Sequence, residues 1–572
     1  MRFGARGEAV SSFGTKELLE GLDRLGASRA DAPAVVALKP GGRSDVTTYG
    51  DLLARAGRFA RAIERLSPDQ QIVPLFLART ADSIAAALGT IYAGKVFAML
   101  NRKFQLPQID HVLQVSGSAV LVVDGPALLS LRRFLGEASA LSQVQWVVLR
   151  DPGFSELHEK ILAALPGRLR RVVLSLDDPE LPEVTRTEVM GTEVTGTEAA
   201  GRTAGAGCCL FTSGSTGTPK GVLIGAEDLA RRAEAEVQCF RLGQSDVLLS
   251  VLPFAFDVGL NQMLSSLTAG ARLVILESWL PSDILNATAS WSVTGISGVP
   301  SLWRSMMNAG LRFDTAEQHR ALRYVTVSGG SLSPSHLEKL PEIAPGVGII
   351  KTYGQTEAFR ATCLLPQDFD RFPQSVGRPF PGVRLYVLRE DGTPCAAGES
   401  GEIAHAGLGV MRGYLGGGDA EKLGPDPFLA PEDPAARMVR TGDYGHLNEE
   451  GFLFLEGRKD DLLKIAGNRV YPEEIVRQIY AAAEVAEVEL VAVEDRLGET
   501  RTVAFVVAGD ETDQTAESLL RDLAKRLPPY MVPAHLELVP QIPRTESGKT
   551  NRPRLAETAR SLLEAADQAR TP

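Results

Sequence analysis

The stretch LFTSGSTGTPKGV at positions 210–222 sets glycines and small hydroxyl side chains ahead of one lysine, Lys220. Glycines let backbone N–H groups turn toward an anion, Ser213, Ser215, Thr216 and Thr218 add hydroxyl donors, and Lys220 supplies charge. Neither GxxxxGK[ST] nor GxGxxG matches, yet the chemistry is that of phosphate binding, with a plain flexible turn as the alternative. Asp257 follows the apolar run VLLSVLPFAF. A carboxylate there would be costly to bury alone, so a protein cation or a cationic ligand should face it. Lys549, beside Ser547 and Gly548 in an exposed turn, could reach incoming anions, although most lysines in such a turn are solvated surface lysines.

The elements that must position these groups follow from hydrophobic periodicity. From residue 34, short β-branched runs (AVVAL, IVPLF) alternate with helical patterns such as TTYGDLLARAGRFARAIERL. The alternation returns after the glycine-rich stretch with DVLLSVLPF, RLVIL, LRYVTVSG and VGIIKTYG. This predicts an α/β protein whose large N-terminal domain, residues 1–457, holds two doubly wound αβαβα lobes at about 30–206 and 207–374. Glycine-rich turn signals at 375–457 predict a β-barrel-like subdomain, and residues 458–572 a small mobile α+β domain. The charged GRKDD at 457–461 is the candidate hinge. Residues 181–207, nearly free of bulky apolar side chains, are expected to form a mobile surface loop.

Bulk properties exclude several classes. The chain has 572 residues, 44% hydrophobic and 23% charged, enough for three or four compact units. A net charge of −11 removes the electrostatic footprint of a nucleic-acid binder, and the short Arg clusters at 132–133 and 168–171 read as solvated faces. Five scattered cysteines without CxxC spacing argue for a reducing compartment and against structural zinc. With neither an apolar leader nor an apolar run of about twenty residues, the expectation is a cytoplasmic protein without a membrane partner.

Taken together, the motifs resemble the adenylate-forming superfamily of acyl-CoA synthetases, luciferases and nonribosomal peptide synthetase adenylation domains, over about residues 30–555. YGQTE at 353–357, RTGD at 440–443, GRKDDLLKIAGNRVYPEEI from 457, LPPYMVP from 527 and PRTESGKTNRPRL from 543 follow the family's order. Val476 departs from it, standing where a glutamate is common. The resemblance implies ATP and Mg²⁺ as cofactors. It implies nucleotide contacts at Thr212, Ser213, Gly214, Ser215, Thr216, Gly217, Gly329, Tyr353, Gly354, Thr356, Asp443 and Arg458, with Tyr353 stacking on adenine and Asp443 holding the ribose. Glu357 and Thr216 would face the metal, while Lys220, Glu357 and Lys549 would be catalytic. Rotation about Asp460 would exchange Lys549, for adenylation, with the loop at Ala466 and Gly467, for thiol transfer. Attack of a carboxylate on the α-phosphorus brings anion against anion, which is why the reaction needs a metal and fixed cations.

Phe256-Asp257 matches the family's amino-acid-activating branch, in which the aspartate binds the substrate ammonium. The corresponding acid pocket is Asp257, Val258, Asn261, Ser297, Thr326, Ser328, Thr352, Arg360 and Ala361, with Lys549. Arg360 is unusual: an arginine beside Ser328 suits a second carboxylate, against the alternative that it points outward to a surface acid. The substrate expected is therefore an amino acid, acidic or β-amino, such as aspartate or 3-methylaspartate, as in stand-alone enzymes that load β-amino acids in macrolactam antibiotic biosynthesis. No carrier or condensation segment is found, so a free-standing acyl or peptidyl carrier protein is the expected acceptor. The alternatives are an acyl- or aryl-CoA ligase and a non-catalytic nucleotide-binding module.

Overall fold

The computed structural model describes residues 15–570 apart from 69–70, 132–143, 151–154, 165–170, 179–204, 214–218, 331, 419–420, 430–432, 434, 459–462, 466–467, 471, 484, 495–498, 510–514 and 545–549. Residues 181–204 of the expected mobile loop, the tip of the glycine-rich stretch, the Asp460 hinge, Ala466, Gly467 and Lys549 therefore lie outside the described residues, whereas Ala206 and Gly207, placed in that loop from sequence, begin strand Ala206–Ser213.

Two large mixed sheets carry the N-terminal region. One has nine strands in the order Arg378–Pro379, Ala358–Leu364, Gly348–Gln355, Tyr324–Val327, Gly295–Gly298, Val247–Ser250, Arg272–Ile275, Pro33–Leu38 and Ser44–Thr48. Its centre is parallel and its edges antiparallel. The other has eight strands, in the order Gly413–Tyr414, Pro219–Gly225, Ala206–Ser213, Val96–Met99, Ile72–Phe76, Val120–Val123, Gln145–Leu149 and Arg171–Leu174.

The lobes are not consecutive in sequence, which corrects the division at residue 206. Pro33–Leu38 joins the later sheet by parallel pairing with Arg272–Ile275, and Ala206–Ser213 joins the earlier one beside Val96–Met99. Periodicity reports that a strand is buried on both faces but not which neighbour it pairs with, so chain order assigned both strands wrongly.

Helix Ala81–Tyr92 packs in one core with Val35 of the nine-stranded sheet and Val73 and Leu75 of the eight-stranded one. A capping box between Thr80 and Ser83 starts it, and residues 81–91 are buried all round. Small side chains permit this. At Gly89 a Cβ would stand 2.4 Å from the Ala56 carbonyl oxygen of helix Tyr49–Leu66, so only glycine allows the approach.

Val383–Leu388, Gly401–Gly407, Arg437–Leu447, Leu423–Pro425 and Leu453–Arg458 form an antiparallel five-stranded sheet. Among the described residues no pairing between its outer strands closes it. The small C-terminal region is α+β. Val485–Glu494, Thr500–Ala508 and His535–Leu538 make a sheet with two cores. Val488, Leu490, Ala504 and Val506 face helices Pro472–Ala482 and Ala516–Arg526, while Val491, Val493, Val503 and Phe505 face Arg552–Arg570. Strand alternation alone divides the two sets.

Candidate active site

The hairpin of Gly348–Gln355 and Ala358–Leu364 organises two neighbouring sites. Successive strand residues point to opposite faces, so Thr352 and Tyr353 serve different ones. A bulge lies between Tyr353 and Gln355, and at Gly354 a Cβ would stand 2.7 Å from the Arg360 nitrogen. Glycine is therefore required where the strands cross closest. Arg360 itself takes a left-handed backbone at φ 57°, uncommon for a residue other than glycine. Thr356 lies in the turn of this hairpin.

On the Tyr353 side, the hydroxyl donates to Asp443 Oδ2 at 2.6 Å and Gln355 Nε2 donates to the same oxygen at 3.3 Å. Arg458, opposite Asp443 in the strand register, places Nε 3.4 Å from Oδ1. Burial raises the Asp443 carboxyl above its ordinary range, opposed by the Tyr353 hydrogen bond and by the charges of Arg458 and Lys422. Glu357 accepts from the Tyr414 hydroxyl at 2.6 Å and faces Lys422 Nζ at 3.7 Å. Lys220 Nζ lies 5.5 Å from the centre of the same Tyr414 ring. One tyrosine thus joins the lysine after the glycine-rich stretch to the glutamate of YGQTE. That stretch is an antiparallel hairpin in which Thr212 opposes Lys220 and Ser213 opposes Pro219. Gly214, Ser215, Thr216 and Gly217 lie outside the described residues.

The Thr352 side lies at the carboxyl ends of the parallel strands, where ligands bind in open α/β sheets. Asp257 begins helix Asp257–Thr268, where a negative charge meets the positive end of the helix dipole, and its Oδ1 accepts from the Val258 N–H at 2.9 Å. Burial raises the Asp257 carboxyl, and Arg360 is the largest influence in the other direction. Val258 and Asn261 follow on the same helix, both buried. Ser297, Thr326 and Ala361 are buried, and Gly329 takes φ 72° just past Ser328. The hydroxyls form a chain: Thr326 Oγ1 is 3.3 Å from Ser328 Oγ, which is 2.7 Å from Thr352 Oγ1.

Arg360 is 2% exposed and closes that chain, donating from Nη1 to Thr352 Oγ1 at 2.6 Å and to Ser328 Oγ at 3.3 Å. It does not point out to a surface acid. Its carboxylate partner is Glu236, 1% exposed, with Oε2 3.1 Å from Nη2. Among the described residues neither Nε nor Nη2 makes a hydrogen bond, and the same holds for Asn261 Oδ1.

Sequence reasoning missed Glu236, Arg232, Tyr414, Lys422 and Gln355. For the first two a signal existed. In helix Ala226–Phe240, Leu229, Arg232, Ala233, Glu236 and Phe240 share the buried stripe, so two charged residues sit at core positions.

The fold is shared with the amide bond synthetase McbA from Marinactinospora thermotolerans, at TM-score 0.73 and 23% identity over 95% of this chain and 99% of that one. An AMP-binding enzyme family model matches residues 22–415, and the model of its C-terminal domain matches 475–549. The chain belongs to this AMP-binding family and is an adenylate-forming enzyme. Among curated relatives, a dimodular nonribosomal peptide synthase of Bacillus subtilis is 30% identical over 94% of this chain, which spans 21% of that protein's length. Novobiocin biosynthesis protein H of Streptomyces niveus is 29% identical over 97% of this chain and 85% of its own. Among the described residues no helix is long and apolar enough to cross a membrane.

Proposed function

We propose that this enzyme activates an amino acid as its aminoacyl-AMP, releasing pyrophosphate, and passes it to the phosphopantetheine thiol of a separate carrier protein. The observation that carries the reading is Asp257 at the head of a helix whose Asn261, one turn on, bonds Glu236, the carboxylate paired with Arg360. A carboxylate and a guanidinium together suit an amino acid with an ammonium and a second carboxylate, such as aspartate or 3-methylaspartate. The Nε of Arg360, which makes no hydrogen bond among the described residues, is a donor such a group could use. The peptide synthase relative supports an amino acid as the acid.

ATP would lie along the Tyr353 side, its ribose at Asp443 and its departing phosphates at the Lys220 hairpin. The donors fit this ligand: a half-buried carboxylate for two hydroxyls, an aromatic ring beside it, and the Lys220 ammonium over the Tyr414 ring that bonds Glu357. Among the described residues no group of three or more His, Cys, Asp or Glu could hold a metal ion. Mg²⁺ bound through one carboxylate, Glu357, and the substrate phosphates would suit such a donor set. When bound it would supply Lewis-acid neutralisation of phosphate charge. Lys549 would steady the attacking carboxylate and the α-phosphate. A small domain beginning near residue 458 and turning about Asp460 would then remove Lys549 and admit the thiol.

The experiment is product trapping. Enzyme with ATP and an amino acid should yield aminoacyl-AMP by mass spectrometry, and a supplied phosphopantetheinylated carrier protein should convert it to thioester. Consumption of the adenylate by coenzyme A alone would replace the carrier with coenzyme A as acceptor.

A further inference from the structure

We propose that Glu236 determines specificity by setting how strongly the Arg360 guanidinium attracts a second carboxylate of the substrate. The inference rests on the acid pocket assigned above, but not on which acid the wild type prefers.

Helix Ala226–Phe240 presents two side chains one turn apart toward residue 360. Arg232 donates to the main-chain carbonyl of Arg360 and, at 2.7 Å, to that of Leu408. These bonds hold the left-handed backbone in place. Glu236 takes the side chain, 3.1 Å from Nη2. Its carboxylate also accepts from Asn261 Nδ2 and, at 3.0 Å, from Ser265 Oγ. Asn261 lies on the same helix as Asp257 and one turn after it. The pair therefore links the two charged groups of the pocket.

Burying two charges is costly, and well-packed apolar residues of similar volume often do as well or better. Stability alone does not call for this pair, and among the described residues the buried Nε of Arg360 makes no hydrogen bond. A carboxylate 3.1 Å away cancels much of the positive potential of Arg360. An incoming carboxylate must share the guanidinium with Glu236, whereas an amino acid with an uncharged side chain feels little of it. Glu236 thus tunes the choice between diacid and monoacid, while Asp257 serves the ammonium common to both.

The test uses aspartate with alanine and β-alanine, each of which lacks one of the aspartate carboxylates. ATP–pyrophosphate exchange gives kcat and KM for each acid, and inhibition constants serve for acids that bind without reacting. Glu236→Gln should raise the preference for aspartate at least about tenfold, through KM, with kcat nearly unchanged; tenfold is about 1.4 kcal/mol. Glu236→Asp keeps the charge but draws it back by one methylene and should move the ratio less, in the same direction. Should the glutamine variant not fold, the aspartate variant alone decides. An unchanged ratio, equal losses for all three acids, or a shift toward the monoacids overturns the proposal. A wild type that ignores aspartate would instead remove the acidic-substrate reading, and Glu236→Gln must still shift the ratio toward aspartate for the present proposal to stand.

Discussion

The proposed nucleotide side and the proposed acid side share one β-hairpin, yet they are built differently. On the Tyr353 side Tyr353, Gln355, Glu357, Asp443 and Arg458 come from short contiguous motifs; Tyr353, Gln355 and Arg458 converge on Asp443, while Glu357 meets Tyr414 and Lys422. On the acid side the groups come one or two at a time from separate elements. Asp257 and Asn261 lie on one helix, Glu236 on another, and Ser297, Thr326, Thr352 and Arg360 on four strands. The first is a set of sequence-local groups, the second an assembly of single positions from separate elements, each of which can be changed by itself.

That contrast can be broken by experiment. The largest effect is expected for Lys549→Ala, which should slow adenylate formation about a hundred- to a thousandfold, as for loss of one transition-state donor, while sparing thiol transfer from supplied adenylate. Pyrophosphate exchange and single-turnover transfer separate these, and equal loss of both would contradict the division of labour. Asp257→Ala should lower kcat/KM for the amino acid about a hundredfold and leave the KM for ATP almost unchanged. A matching rise in KM for ATP would mean that the two sides are not independent.

Tyr414→Phe removes one charge-assisted hydrogen bond to Glu357 and should raise the KM for Mg-ATP about tenfold, without altering the order of preference among acids. The smallest effect concerns pH. Burial raises the Asp257 carboxyl, so the fold favours its protonated form. The resulting stability is fully present below the unfolded-state value, about 3.9, and is lost as pH rises through the folded value. At neutral pH ionised Asp257 therefore costs stability, and Asp257→Asn should raise Tm there while weakening amino-acid binding. In the wild type, kcat/KM should fall on the acid side at a pH above the ordinary carboxylate range, a limb that Asp257→Asn should lack.

Much of the fold was legible, for a physical reason. Strand and helix periods differ, so the alternation at 34–100 and again at 247–355 announces an α/β protein. Long-range pairing leaves no such local mark: Pro33–Leu38 and Arg272–Ile275 are more than two hundred residues apart in sequence. Turn signals at 375–457 announce the antiparallel strands of the five-stranded sheet but carry no mark of how far it closes. In the site, Tyr353, Glu357, Asp257 and Arg360 could be named from motifs. Glu236 could not, because EAEVQ on an amphipathic helix looks like a solvated charged face until its position on the apolar stripe is counted. Tyr414 lies in a glycine-rich turn region whose register against Pro219–Gly225 only the structure supplies.

The central claim is that one pocket recognises an ammonium and a second carboxylate at once. The most direct measurement is ATP–pyrophosphate exchange by the wild-type enzyme with aspartate, its deaminated analogue succinate, and alanine and β-alanine. The account predicts that aspartate exceeds each of the other three. Exchange with succinate as fast as with aspartate, or with both alanine and β-alanine above aspartate, would contradict it.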